Sequence, residues 1–446
     1  ISKLCKDGRD YSYVEYMTEE NYLKVFYDII FIGFPDETVF FETGDNNLNE
    51  CIYSAKSQLV KILSNLVSVV KPHYHMKNLE GTGFAKLLRS WVETFLSQLL
   101  ELSADSEVEN KLENPKLKDL VTNILTICSQ IAYVKEFHGI YNAIGIRLIT
   151  DIGFAFMKTY KEEKIEMKDN PAEFVKLALD VCDRQRYSVL KSQAAKFIET
   201  IGDKISGIFP IICSISCDLL DYAVTKDPNM DLYPTLKEHY NQSKFLTYCS
   251  DEDIIDVWLL TLTMVSYALP KNENMKKRFI EITEKVTTPI MQKESLLLNC
   301  RLTIMLGYYI DILYKDDEAV FYKVIEMFLD SLTTGEENLA LAHQSCDTLN
   351  TIINDNDVIP RIVPIITKLL EKVSECILTV TIPDFFDFLA EIFKYYKEHI
   401  TKDTLLMIIR WVVQRIDKDV QEAKGDAKQE NPFKGSGSND SNNETS

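Results

Sequence analysis

The chain has 446 residues, 46% hydrophobic and 26% charged, with only 15 glycines and 13 prolines. That length exceeds what one compact core usually holds, and so few turn-forming residues exclude a Rossmann-like enzyme or a β-sandwich in favour of helices. The formal net charge of −19 sets the surface against direct binding of nucleic acid or anionic membranes; it attracts basic proteins, and an equal reading is that it only keeps the chain in solution.

Amphipathic segments follow one another along the chain. Residues 48–70, "LNECIYSAKSQLVKILSNLVSVV", bring Ile52, Leu59, Ile62, Leu63, Leu66 and Val67 near one helical face. Residues 83–102 do the same with Phe84, Leu87, Leu88, Trp91, Phe95 and Leu99. Further helices are predicted over 117–132, 171–181, 185–202, 251–269, 272–286, 293–313, 317–333, 336–353, 359–378, 382–398 and 402–416, and no alternating strand pattern of useful length occurs. The stretch 421–446 holds one aromatic and no aliphatic residue larger than alanine. It cannot bury enough apolar surface to offset ordering entropy and is expected to be disordered.

Three of these segments align: "DEDIIDVWLLTLTMVSYAL" from 251, "KESLLLNCRLTIMLGYYIDIL" from 293 and "EENLALAHQSCDTLNTII" from 336. Each opens with acids, which suit a helix amino terminus, and their starts are 42 and 43 residues apart. A second helix fills each interval, and the spacing matches the HEAT and armadillo window of roughly 40–47 residues. The expected fold is therefore all-α: a HEAT-repeat α-solenoid, a right-handed superhelix of antiparallel helix pairs, over residues 1–420.

Sites for chemistry are sought and not found. "DNNLNE" (45–50) alternates Asp45, Asn47 and Asn49 like a calcium loop, but Glu50 stands where glycine is needed and Lys56 where the last glutamate belongs. The acids of "DEDIID" (251–256) and "KDDEA" (315–319) lack the spacing that aims three carboxylates at one metal cluster, and helix starts explain them. Cys213 and Cys217 stand one turn apart without a second pair or a histidine to complete a zinc site. His73 and His75 flank Tyr74 in an expected loop. No HExxH, GxSxG, Walker A or GxGxxG motif occurs. The expectation is binding without catalysis, metal or cofactor.

The ten cysteines (Cys5, Cys51, Cys128, Cys182, Cys213, Cys217, Cys249, Cys300, Cys346, Cys376) are scattered through apolar helical text, which implies reduced, buried thiols in a cytosolic or nuclear compartment. A start at Ile1 without a charged-then-apolar leader implies no signal peptide and a preceding portion of a longer protein. The longest apolar runs, "ISGIFPIICSISCDLL" and "IIDVWLLTLTMVSYAL", have 16 residues, short of the roughly 20 that span a bilayer.

One stretch, "KDNPAEFVKLALDVCDRQ" (168–185), gathers acids, a proline and an aromatic. Pro171 suits a first helical turn, Asp169 or Asn170 can cap it, and Glu173 complements the helix dipole. Phe174, Leu177 and Val181 then face inward. The stretch, with the following "VLKSQAAKFIETI" (189–201), resembles the importin-β superfamily of nuclear transport receptors. That family carries an acidic cluster, Asp-Pro, a spaced glutamate and an aromatic-aliphatic pair, then a helix with a basic residue and paired small residues. Asp169, Asn170, Pro171, Glu173 and Phe174 stand at the first motif, Lys191 at the basic place, and Ala194 and Ala195 as the small pair. Asn170 stands where the family prefers aspartate, and the arginines usual before the small pair are absent. Residues 24–47 and 115–141 look like helices of the exportin-2 branch, and "VIPRIVPIITKLLEKV" (358–373) looks like the importin-seven/eight type. The resemblance implies a central receptor fragment that shuttles between cytoplasm and nucleus. It implies as partners Ran–GTP (through the part before Ile1), a basic protein cargo or importin-α, and Phe-Gly nucleoporins. A HEAT scaffold of another complex and an all-α enzyme are the alternative readings.

Overall fold

The computed structural model describes residues 46–71, 83–175, 189–225, 243, 248–266, 269–313, 318–332, 338–379 and 382–429. The protein is all-α, with no strand among these residues. It divides into two compact units, Ile1–Leu313 and Tyr314–Ser446.

In the first unit α1 (Asn46–Val70), α4 (Pro115–Ile131) and α9 (Val189–Lys204) stack in that order. Leu63, Leu66 and Val67 of α1 and Ile124, Leu125 and Cys128 of α4 are buried. Polar pairs fix the register: Asn123 Nδ2 donates to Ser57 Oγ at 2.8 Å and Ser64 Oγ to Gln130 Oε1 at 3.1 Å. Helix α4 starts where its sequence says it should. Asn114 accepts from the Lys116 and Leu117 N–H groups at 2.9 and 3.3 Å, and Pro115 takes the first turn. Helix α2 (Gly83–Ser103) buries Leu88, Trp91, Phe95 and Leu99, and the short α3 (Val108–Leu112) follows it.

The region between α4 and α9 holds elements absent from the periodicity reading. They are α5 (His138–Ile144), a π-helical turn over Leu148–Gly153, α6 (Phe154–Met157) and α7 (Lys161–Asp169). It also holds α8 (Pro171–Phe174), at the start of the helix expected over 171–181. Gly145, at φ 58°, breaks the chain between α5 and the π turn.

Next come α10 (Ile208–Thr225), α11 (Asp251–Met264), α12 (Glu273–Met291) and α13 (Leu296–Leu313). Helix α10 contacts α11 and α12, while α13 contacts α11 and α12. Two helix pairs, α10/α11 and α12/α13, are therefore stacked first on first and second on second. Asp221 accepts from Lys285 Nζ at 2.8 Å across the α10–α12 layer, and Asp218 pairs there with Arg278. Helix α10 has mean hydropathy 1.5 over 18 residues, enough by length and composition to cross a membrane. However, 67% of it is buried inside the protein, and Asp218 and Asp221 are among its buried residues; it is a core helix here.

The second unit repeats the arrangement. It contains α14 (Glu318–Ser331), α15 (Leu339–Ile353), α16 (Ile359–Ile362), α17 (Ile366–Thr379), α18 (Asp384–Tyr396) and α19 (Lys402–Gln429). Helix α14 contacts α15 and α17, α18 contacts α15 and α17, and α19 lies against α17. The single helix expected over 359–378 is broken, with a 3₁₀ turn at Val363–Ile365 between α16 and α17. Pro364 lacks the N–H that a continuous helix would use. Helix α19 runs through residues 421–429, part of the segment expected to be disordered. Their Ala, Glu, Gln and Lys content favours helix despite the absent apolar face. Residues 430–446 lie outside the described residues.

Candidate functional site

Each residue singled out in the 168–201 stretch has a definite place, except where the stretch leaves the described residues. Asp169 ends α7 and is exposed. Asn170 joins α7 to α8 at φ −143° and ψ 66°, and its side chain makes no cap bond. The turn is closed instead by backbone, with the Asn170 carbonyl accepting from the Phe174 N–H at 3.0 Å. Pro171 takes the first turn and Glu173 is exposed, while Phe174 is buried. Leu177 and Val181, expected to face inward, lie outside the described residues, as do His73, His75, Cys5 and Cys182. Ala194 and Ala195 are buried on α9, which packs on α4, α6 and the π turn.

Lys191 is the one member that enters a polar network. It is 1% exposed, and its Nζ donates to Glu163 Oε2 at 2.8 Å and to Thr159 Oγ1 at 3.3 Å. Thr159 Oγ1 in turn donates to Asp256 Oδ2 at 2.7 Å. The other Asp256 oxygen accepts from Arg301 Nε at 2.7 Å, and both side chains of that pair are 0% exposed. The chain Glu163–Lys191–Thr159–Asp256–Arg301 thus joins α7, α9, α11 and α13 through their common core. Glu163 also accepts from the Tyr160 backbone N–H at 2.8 Å, which ties the network to the start of α7.

A second arm lies at the amino end of α11. Ser250 caps that helix: its hydroxyl accepts from the Asp253 N–H at 3.2 Å, and the Asp253 carboxylate accepts from the Ser250 N–H at 3.2 Å. The acids of "DEDIID" are thus helix-start acids as far as Asp253, whereas Asp256 belongs to the core. Lys164 donates to Asp253 at 2.9 Å and to Glu252 at 3.0 Å. Lys158 pairs with Glu109 at 2.9 Å and approaches Asp253 at 3.9 Å. Burial would push the Asp253 carboxyl up, but Lys158 and Lys164 outweigh it and hold the group below its ordinary range. Burial opposes the charge of Lys164 as well, yet the two carboxylates push its pKa up to about 12.

Chemically this is a clasp. Asp256 is engaged on both oxygens, and Lys191 and Lys164 each make two contacts, so these charges are spent on one another. A general base or nucleophile needs open space beside its reacting atom, whereas Lys191, Asp256 and Arg301 are buried against one another. Burial pushes the Cys213, Cys217 and Cys249 thiols up to about 12 and Cys376 to about 11. Such groups are poor nucleophiles. Cys51, by contrast, is exposed, contrary to the expectation of buried thiols throughout. Among the described residues no group of three or more His, Cys, Asp or Glu side chains converges. Residues 46–50 of the "DNNLNE" stretch are helical, so they do not form a loop around an ion.

Sequence reasoning missed Arg301, Thr159 and Glu163, and it read Asp256 as a helix-start acid where the structure buries it beside Arg301. The signal available was a lone acid inside "IIDVWLL" and a lone base inside "LLNCRLTIML", 45 residues apart. No protein-family model matches the chain, and no curated protein matches it.

Proposed function

We propose that the chain belongs to a HEAT-repeat solenoid that works as a nuclear transport receptor, binding a basic protein cargo reversibly under the control of Ran–GTP. The observation that carries the solenoid reading is the register of the interhelix bonds. Arg301 reaches Asp256 across 45 residues, and Tyr309 Oη donates to the Leu262 carbonyl across 47. In the second unit Tyr396 Oη donates to the Ile353 carbonyl at 2.8 Å across 43 residues, and His343 Nδ1 meets Asp384 at 2.7 Å across 41. Bonds recurring at that interval join equivalent helices of successive pairs, as a stack of HEAT pairs requires. The transport role rests on the resemblance of residues 24–47, 115–141, 168–201 and 358–373 to the importin-β superfamily.

On this reading the work is mechanical. Each helix pair touches only its neighbours, so small rotations per pair add along the array and change how the cargo surface is presented. The acid excess attracts a basic cargo or importin-α. Phe-Gly nucleoporins enter apolar slots between outer helices, and Ran–GTP controls the binding and release of cargo. The protein shuttles between cytoplasm and nucleus and makes no covalent change in anything it binds.

The test is cargo affinity on the natural full-length protein, with and without Ran–GTP. Ran–GTP should lower or raise the affinity, and affinity should fall between roughly 50 and 200 mM salt as surface charge is screened. If Ran–GTP changes nothing and binding ignores salt, the role is that of a HEAT scaffold for another assembly.

A further inference from the structure

Against a net charge of −19, one place on the first unit is locally basic. Helices α1, α4 and α9 stack there, and each contributes at its end or along its exposed side. Lys71 follows the last residue of α1, Tyr133 follows α4 by two residues, and Lys196 and Lys204 lie on α9. Lys71 Nζ is 3.9 Å from the centroid of the Tyr133 ring and Lys204 Nζ is 5.0 Å from the same centroid. Tyr133 remains 43% exposed.

Two ammonium groups on one aromatic ring repel each other, and a third lysine adds to the repulsion. The Lys71 ammonium is held below its ordinary range by burial first, then by Lys196 and Lys204. Asp203 pairs with Lys204 at 2.6 Å. No carboxylate forms an ion pair with Lys71 or Lys196 among the described residues. Cation–π attraction of about 0.5–1 kcal/mol at an exposed ring gathers these cations, and it does not neutralise them. Elsewhere in this unit lysines that converge are matched by acids: Lys158, Lys164 and Lys191 each meet a carboxylate within 3.0 Å. In the Tyr133 cluster Lys204 has such a match in Asp203, whereas Lys71 and Lys196 have none among the described residues, and the ring opens to solvent.

We propose that Lys71, Tyr133, Lys196 and Lys204 form a docking point for an acidic, aspartate- or glutamate-rich segment of a partner protein. The clustered ammonium groups take carboxylates, and the ring face takes the aliphatic stems between them. The proposal stands apart from the transport reading and does not need it. It commits to a peptide because the cluster combines the apolar ring that follows α4 with cations from α1 and α9, more than a single small anion can cover.

The experiment uses a fluorescein-labelled octaglutamate peptide and fluorescence anisotropy. An acidic protein repels such a peptide overall, so binding must come from a local basic cluster. Wild-type protein should bind it with an affinity that falls as salt rises from about 50 to 200 mM. The double variant Lys71→Gln/Lys204→Gln should bind about tenfold more weakly, the loss of roughly one charge-assisted contact. A control that removes the same charge elsewhere, Lys277→Gln/Lys402→Gln, should bind as wild type. Both pairs of lysines lie at the surface, and an unchanged far-ultraviolet spectrum and melting transition verify the fold of each variant. Absence of wild-type binding overturns the proposal, and so does equal weakening in both double variants. Displacement of the peptide by millimolar inorganic phosphate would mark a free-anion site and also overturn it.

Discussion

Replacing Arg301 by leucine tests the buried clasp most severely. Arg301 and Asp256 are both 0% exposed and meet at 2.7 Å. Leucine removes the cation and leaves Asp256 in the core with only the Thr159 hydroxyl, at 2.7 Å, to satisfy it. Breaking a buried pair by deleting one partner costs about 3–5 kcal/mol, because the remaining charge has no compensation. Stacked helices open in parts rather than all at once, so the cost is best read by native-state hydrogen exchange. At about 1.4 kcal/mol per tenfold, amides of α11 and α13 should lose protection by roughly two to three and a half orders of magnitude. Amides of α1, which packs on α4, should be unchanged. Asp256→Leu/Arg301→Leu should recover part of the loss, since no charge stays buried. It keeps a penalty of about 1–3 kcal/mol for the Thr159 hydroxyl that then lacks its acceptor. Unchanged exchange in Arg301→Leu, or a double variant worse than the single one, would refute the reasoning.

Three further outcomes follow from the same structure. Lys56 is 2% exposed and burial pushes its pKa down to about 7, so between about pH 7 and 10.4 the unfolded chain binds a proton there that the folded one does not. The melting temperature should therefore rise with pH across that window, and Lys56→Met should flatten the rise; a Lys56→Met profile parallel to wild type would contradict it. Tyr396→Phe removes the 2.8 Å bond to the Ile353 carbonyl and should cost roughly 1–3 kcal/mol, because a buried acceptor loses its donor; urea denaturation measures it, and no change in midpoint would count against the interhelix role. Alkylation by iodoacetamide at pH 8, mapped by mass spectrometry, should label exposed Cys51 well before Cys213, Cys217 and Cys249, whose thiols lie at about 12; equal rates would mean that those three sites open freely.

Sequence made the amphipathic helices legible and the buried ones obscure. Helices α1 and α2 carry one apolar stripe each and were placed to within a residue or two of their ends. Helix α10 is apolar on nearly every side because α11 and α12 cover it, so no 3.6-residue pattern marked it. The short elements between residues 138 and 169 bury residues such as Phe154 and Phe156 by tertiary contact, and none is long enough to show a period. The break at Pro364 was readable from the proline itself. At the site, Lys191 came from the resemblance, while its meaning depends on Thr159 and Asp256, brought beside it from 32 residues before and 45 before Arg301. Long-range pairing of that kind leaves only a faint trace in one sequence, a solitary charge within an apolar run. Asn170 shows the opposite error: a residue suited to capping by type, whose side chain makes no cap bond.

The central claim, a helix-pair stack that serves as a Ran-controlled receptor, is tested most directly by the affinity of the natural full-length protein for Ran. Calorimetric titration with Ran carrying a non-hydrolysable GTP analogue should give saturable binding, and Ran–GDP should bind at least about a hundredfold more weakly, a difference of some 2.7 kcal/mol. Equal affinity for the two nucleotide states, or no binding of either, would contradict the account.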